Sequence, residues 1–138
     1  GVITSDGFLG DDTRNLVDII EADEERFAQL GLDFDEVSER LRYLLDRGRS
    51  GLGEPVTVDG KWLVTVSEAR GHLPSPFEDG IHRKVNALIE RAPGGKGTGE
   101  RVLVSDLSLH LLEKYHFLEG KGSSFRVEPD VLKRVLEL

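Results

Sequence analysis

The chain contains no cysteine and no methionine, and only one of its 138 residues is tryptophan. The missing cysteines remove disulfide frameworks, thiolate zinc sites, iron–sulfur ligation and cysteine nucleophiles in one step. No run nears the ~18 apolar residues that a helical membrane span requires. The amino terminus has no basic stretch leading into an apolar one, so neither insertion nor secretion is supported, and the cytoplasm is the expected compartment. Because the sequence opens Gly1-Val2 and lacks methionine altogether, either an initiator has been removed or the chain starts inside a longer protein. Internal repeats, heptad arrays and low-complexity tracts are also missing.

What is present is a length suited to one domain over residues 1–138, able to bury roughly two-thirds of its unfolded surface without metal or disulfide support. Charged residues make up 32% against 38% hydrophobic, a balance that favours amphipathic elements over segments apolar all round. The net charge of −8 is uneven. Residues 1–80 carry 8 basic against 18 acidic side chains, a balance of −10, and residues 81–138 carry 10 against 8, a balance of +2. An acidic surface repels phosphate backbones, which disfavours nucleic-acid binding by the first half.

The patterning predicts an α+β fold. After a flexible lead-in over residues 1–10, Asp11, Asp12 or Thr13 can cap a helix with apolar positions Leu16, Ile19, Ile20, Phe27 and Leu30, interrupted by the acidic run Glu21 to Glu25. That run reads as the helix's wet face. Gly31 stops the helix, and Asp33 with Glu36 starts a second one showing Phe34, Val37, Leu41, Leu44 and Leu45, completing an acidic helical hairpin over 11–50. Asp59-Gly60 then marks a β-hairpin between Pro55–Val58 and Lys61–Val66. With a two-residue loop, Val56, Val58 and Leu63 share one face while Trp62, Val64 and Val66 share the other; a longer loop shifts this register.

The remaining segment, 71–138, reads as follows. Residues 71–80 form an ordered, proline-held corner, and Ile81, Val85, Leu88 and Ile89 line a third helix. Residues 94–99 make a mobile glycine turn, Arg101–Val104 a short strand, Ser105 the cap of a fourth helix, Phe125–Val127 a strand and Pro129 the start of a last helix. This carboxyl-terminal order is compatible with a winged helix whose hairpin tip is Gly120–Ser124. Lys114, Lys121 and Arg126 are its candidate phosphate contacts, although a balance of +2 is low for a nucleic-acid surface.

Chemistry concentrates at the Gly71–Lys84 corner, where His72, Ser75, His82 and Arg83 are the candidate ligand-binding residues. A rigid proline loop holds such groups at low entropic cost. No Gly-x-Ser-x-Gly elbow surrounds Ser75, which argues against a serine hydrolase. His110 and His116 lie roughly 120° apart around a helix axis, so a metal site would need His72, His82, one of His110 or His116, and Glu78 or Asp79; the four histidines match no metal spacing, and no metal ligands, cofactor or catalytic residues are assigned. The glycine run with Lys96 leaves a helix and enters a strand, the reverse of a P-loop. The sequence therefore points first to a non-enzymatic interaction or regulatory domain that forms a homodimer, since the hairpin and short amphipathic helices leave apolar faces one small core does not cover. A small-molecule or metal-dependent enzyme using the Gly71–Lys84 pocket, and a nucleic-acid module in 81–138, are the alternatives.

Overall fold

A computed structural model describes residues 6–93 and 99–138. The elements are α1 (Asp6–Leu9), α2 (Leu16–Leu30), α3 (Phe34–Gly48), β1 (Val56–Val58), β2 (Trp62–Pro74), β3 (Ile81–Arg91), β4 (Arg101–Ser105), α4 (Asp106–Tyr115) and α5 (Pro129–Leu136). The strands form one antiparallel meander in the order β1-β2-β3-β4. Helices and sheet share one main core, and the fold is α+β. No helix among the described residues is long and apolar enough to cross a membrane.

Local chemistry sets the helix ends. Asn15, rather than Asp11, Asp12 or Thr13, caps α2, its side-chain oxygen accepting from the Asp18 N–H at 2.9 Å. Asp12 is instead drawn to Arg14 (2.6 Å) and to the Lys121 N–H (3.2 Å). Gly31 in the left-handed region closes α2, and Asp33 caps α3 through the Asp35 N–H. The turn between the helices is locked by Phe27 stacked on Phe34 at 3.8 Å. Ser105 caps α4 with Ser108 returning the bond, and Pro129 occupies the first turn of α5.

The hairpin loop has three residues, since Val58 pairs with Trp62. Asp59 and Gly60 both take positive φ. The extra residue brings Val58 onto the face of Trp62, Val64 and Val66, all buried, instead of the opposite face. The register extends this inner face across the sheet through Val85, Ala87, Ile89, Val102 and Val104. Leu41, Leu44, Leu112, Leu132 and Val135 from α3, α4 and α5 cover it. Trp62 donates its Nε1–H to the Val135 carbonyl at 2.8 Å, tying α5 to the sheet.

Two expectations are corrected. Residues 81–91 are a strand and not a third helix: Val85, Ala87 and Ile89 alternate inward against β2, and the long hairpin partner outweighs the helical spacing of Ile81, Val85, Leu88 and Ile89. Phe125–Val127 is irregular, so no wing hairpin exists among residues 120–128; Arg126 is held by carboxylates and Val127 is buried without a strand partner. Within the expected lead-in, Asp6–Leu9 form α1, which lies against the 119–123 loop. Residues 94–98 of the expected glycine turn lie outside the described residues.

Candidate functional site

Beyond the span paired with β1 and β4, β2 and β3 continue as a two-stranded arm in which Ser67–His72 and Arg83–Lys84 are exposed. A bulge sets Ala69, Arg70 and Gly71 against Lys84, with Gly71 at φ 97°. Pro74 ends β2, and Ser75 begins a turn closed by its own N–H on the Gly80 carbonyl (2.9 Å) and by the Glu78 N–H on the Ser75 carbonyl (3.0 Å). The turn folds back onto α4, where Phe77 stacks on Tyr115 at 4.0 Å.

Asp79 anchors this contact. Its Oδ2 receives the Tyr115 hydroxyl at 2.5 Å, lies 2.7 Å from His110 Nε2 and 3.2 Å from Lys114 Nζ. Oδ1 makes no hydrogen bond of good geometry, and the Ser75 hydroxyl lies close to the carboxylate. The surrounding donors, Ser75 and Tyr115 foremost, outweigh desolvation and hold the Asp79 carboxyl far below the usual carboxylate range. The same anion raises the Tyr115 phenol and the Lys114 ammonium.

A second carboxylate lies one helical turn before His110. Asp106 Oδ2 is 3.4 Å from His82 Nδ1 and accepts the Arg83 N–H at 3.3 Å, while Oδ1 takes Arg42 Nη1 at 2.9 Å. Burial pushes Asp106 upward, but Arg42 outweighs it and the carboxyl falls below its ordinary value. Arg42 also reaches Glu113 at 2.6 Å, which joins α3 to α4. The His82 and His110 rings face each other at 4.4 Å, so two carboxylate–imidazole pairs meet at the base of the arm. His82 Nε2 is buried without a hydrogen-bond partner.

The structure unites only part of the predicted set. His82 and Ser75 belong to the cluster. His72 is exposed on β2 opposite Arg83, on the other face of the arm from His82, and Arg83 pairs loosely with Glu68 at 3.5 Å. Lys114 is committed to Asp79, and Lys121 is exposed on the loop that receives α1. Arg126, placed by the sequence among phosphate contacts, is withdrawn from solvent: its side chain is 8% exposed and grips Asp23 at 2.5 and 2.9 Å. His82, His110 and Asp79, which the sequence groups only as a conditional metal site, do meet here, whereas Asp106 and Tyr115 escaped the sequence reading. Asp106, His110 and Lys114 do share a helix face at i, i+4 spacing, yet nothing local marks Asp79 as their partner.

This arrangement can fix the arm's tip against α4. Asp79, His82, Asp106, His110 and Tyr115 line none of the larger depressions, of which one of about 260 Å³ is bounded by Ser67, Leu73, Lys84, Asn86, Ser105 and Phe125. Among the described residues, no group of three His, Cys, Asp or Glu side chains is placed to hold a metal ion.

The outer face of the sheet presents a different surface. Leu88 on β3 pairs with Leu103 on β4 and with Thr65 on β2, and Leu63 lies two residues along from Thr65. These three leucines are half-buried and belong to neither apolar cluster of the interior. Glu90 and Arg101 sit opposite one another on the same face, and neither forms an ion pair within the described chain. Fold and surfaces together define an α+β protein with a one-sided antiparallel sheet and a stapled arm. Comparisons with protein-family models, curated proteins and solved structures give no match to the chain.

Proposed function

We propose that the protein is a non-enzymatic interaction domain of the cytoplasm that works as a homodimer, with the outer sheet face as its contact. The observation that carries this reading is the strip Leu63, Leu88 and Leu103, which crosses three strands with no described helix over it. Two such faces pack at ~10 Å when stacked, burying both leucine strips. A two-fold arrangement also lets Glu90 of one copy meet Arg101 of the other, as an isologous contact requires. Light scattering coupled to size-exclusion chromatography tests it. A dimer is expected for the unaltered chain and a monomer for Leu88→Arg. A monomer at every accessible concentration, or a dimer indifferent to Leu88→Arg and Leu103→Glu, defeats the reading.

A second reading is a small-molecule site in the depression of about 260 Å³ beside the arm, favoured by a lining that combines Arg83 and Lys84 with Leu73 and Phe125. Thermal-shift screening that finds a stabilising small molecule, with the effect lost in Arg83→Ala, is its signature; a screen with no Arg83-dependent hit removes its support.

A further inference from the structure

The amino-terminal turn lies against the 119–123 loop at close range. The Gly120 N–H donates to the Phe8 carbonyl and the Asp11 N–H to the Lys121 carbonyl, both at 2.7 Å. The approach tolerates only glycine, since a Cβ at Gly120 falls 2.1 Å from the Leu9 carbonyl oxygen. Phe8 forms one wall of a depression of about 300 Å³ whose other sides include Leu73, Leu107, Glu119 and Phe125.

One hydroxyl at this junction faces two acceptors. Ser123 Oγ lies 2.5 Å from Glu119 Oε1 and 3.0 Å from the Gly7 carbonyl oxygen, and it carries a single proton. If the Glu119 carboxyl is ionised, the serine proton goes to the nearer, charged oxygen, and the Gly7 carbonyl faces a lone pair. If the carboxyl is protonated, it donates to Ser123 Oγ, Ser123 donates to Gly7, and both contacts are hydrogen bonds. We propose that Glu119 and Ser123 form a proton-gated latch that pins the segment around residues 7–12 when the carboxyl is neutral and loosens it when the carboxyl ionises.

The surroundings suit such a gate. Glu119 is 3% exposed, and burial raises its carboxyl from the ordinary 4.5 to about 7, against smaller lowering effects from Ser123 and Arg126. Arg126 touches the Glu119 carbonyl, not the carboxylate, and its charge is taken by Asp23 on α2 and by Glu128. Lys121 is the cation of the loop itself, while the amino-terminal segment brings Asp11, beside Gly122, and Asp12, paired with Arg14. Leu73, Ser105 and Leu107 complete the niche without a charge.

Backbone ¹⁵N relaxation of residues 7–12 reads the latch. Between about pH 5.5 and about pH 8.5, order parameters are expected to fall from roughly 0.85 to below about 0.6, with the Trp62 indole signal unchanged. Glu119→Gln keeps a donor toward Ser123 and is expected to stay ordered at both ends. Ser123→Ala removes the relay and with it the pH response. Equal order of the wild-type segment at both ends, or a transition that survives in Glu119→Gln, overturns the proposal.

Discussion

Replacing Asp23 by asparagine is expected to destabilise the fold by about 3 kcal/mol, because it strands a buried cation. Asp23 and Arg126 are each 8% exposed at the side chain, and the carboxylate takes two guanidinium N–H groups. Burial alone depresses the Arg126 guanidinium, but Asp23 and Glu128 overcome that and raise it, so the arginine stays charged. Removing one partner of such a pair costs about 3–5 kcal/mol. Glu128 still meets Arg126 at 3.1 Å in the variant but is 55% exposed, which places the cost at the lower end. With a urea slope of about 2 kcal/mol per molar, the midpoint should drop by about 1.5 M. Replacing both partners by apolar residues, Asp23→Leu with Arg126→Met, leaves no stranded charge and should recover most of the loss, giving a coupling of about 2 kcal/mol in a double-mutant cycle. A loss below about 1 kcal/mol for Asp23→Asn, or additive single losses, would refute the reasoning.

Three further outcomes follow from the described contacts. Glu119 has a folded-state value raised from 4.5 to about 7, so its contribution is fully present below 4.5 and is lost as pH rises through 7; urea melts should show a loss of up to about 3 kcal/mol between those limits that is absent in Glu119→Gln. Asp79 is shifted the other way, so its support is present above its ordinary value of 3.8 and lost on acidification below it; Asp79→Asn should loosen the Ser75–Gly80 turn, seen as faster amide exchange at Ser75 and Glu78. Gly48→Ala places a methyl 2.5 Å from Val64 Cγ1 on the underside of the sheet, and thermal melts should show a cost of about 1–3 kcal/mol from overpacking.

Much of the fold was legible because its signals are local. The stops and starts at Gly31, Asp33, Ser105 and Pro129 lie within a few residues of the groups they satisfy. The failures occurred where a distant partner decides. Ile81, Val85, Leu88 and Ile89 fit a helical stripe as well as they fit a strand, and only the presence of β2 selects the strand. Asp23 reads as part of a wet acidic run, yet it falls midway between Ile19 and Phe27 at four-residue spacing, on the inward stripe. That position was the available clue. The cluster at the arm was partly legible through His82 and Ser75, but Asp79 meets His110 and Tyr115 across 31 and 36 residues, a distance no spacing rule covers.

The Asp23–Arg126 pair spans 103 residues, and this separation bears on how the chain is made. At a synthesis rate of about 5–20 residues per second, the acid is made roughly 5–20 s before its basic counterpart. For that interval α2 cannot seat its inward carboxylate, and Ile19 and Phe27 beside it cannot be sealed from water. A nascent chain of this protein therefore carries an unfinished acidic helix until Arg126 emerges.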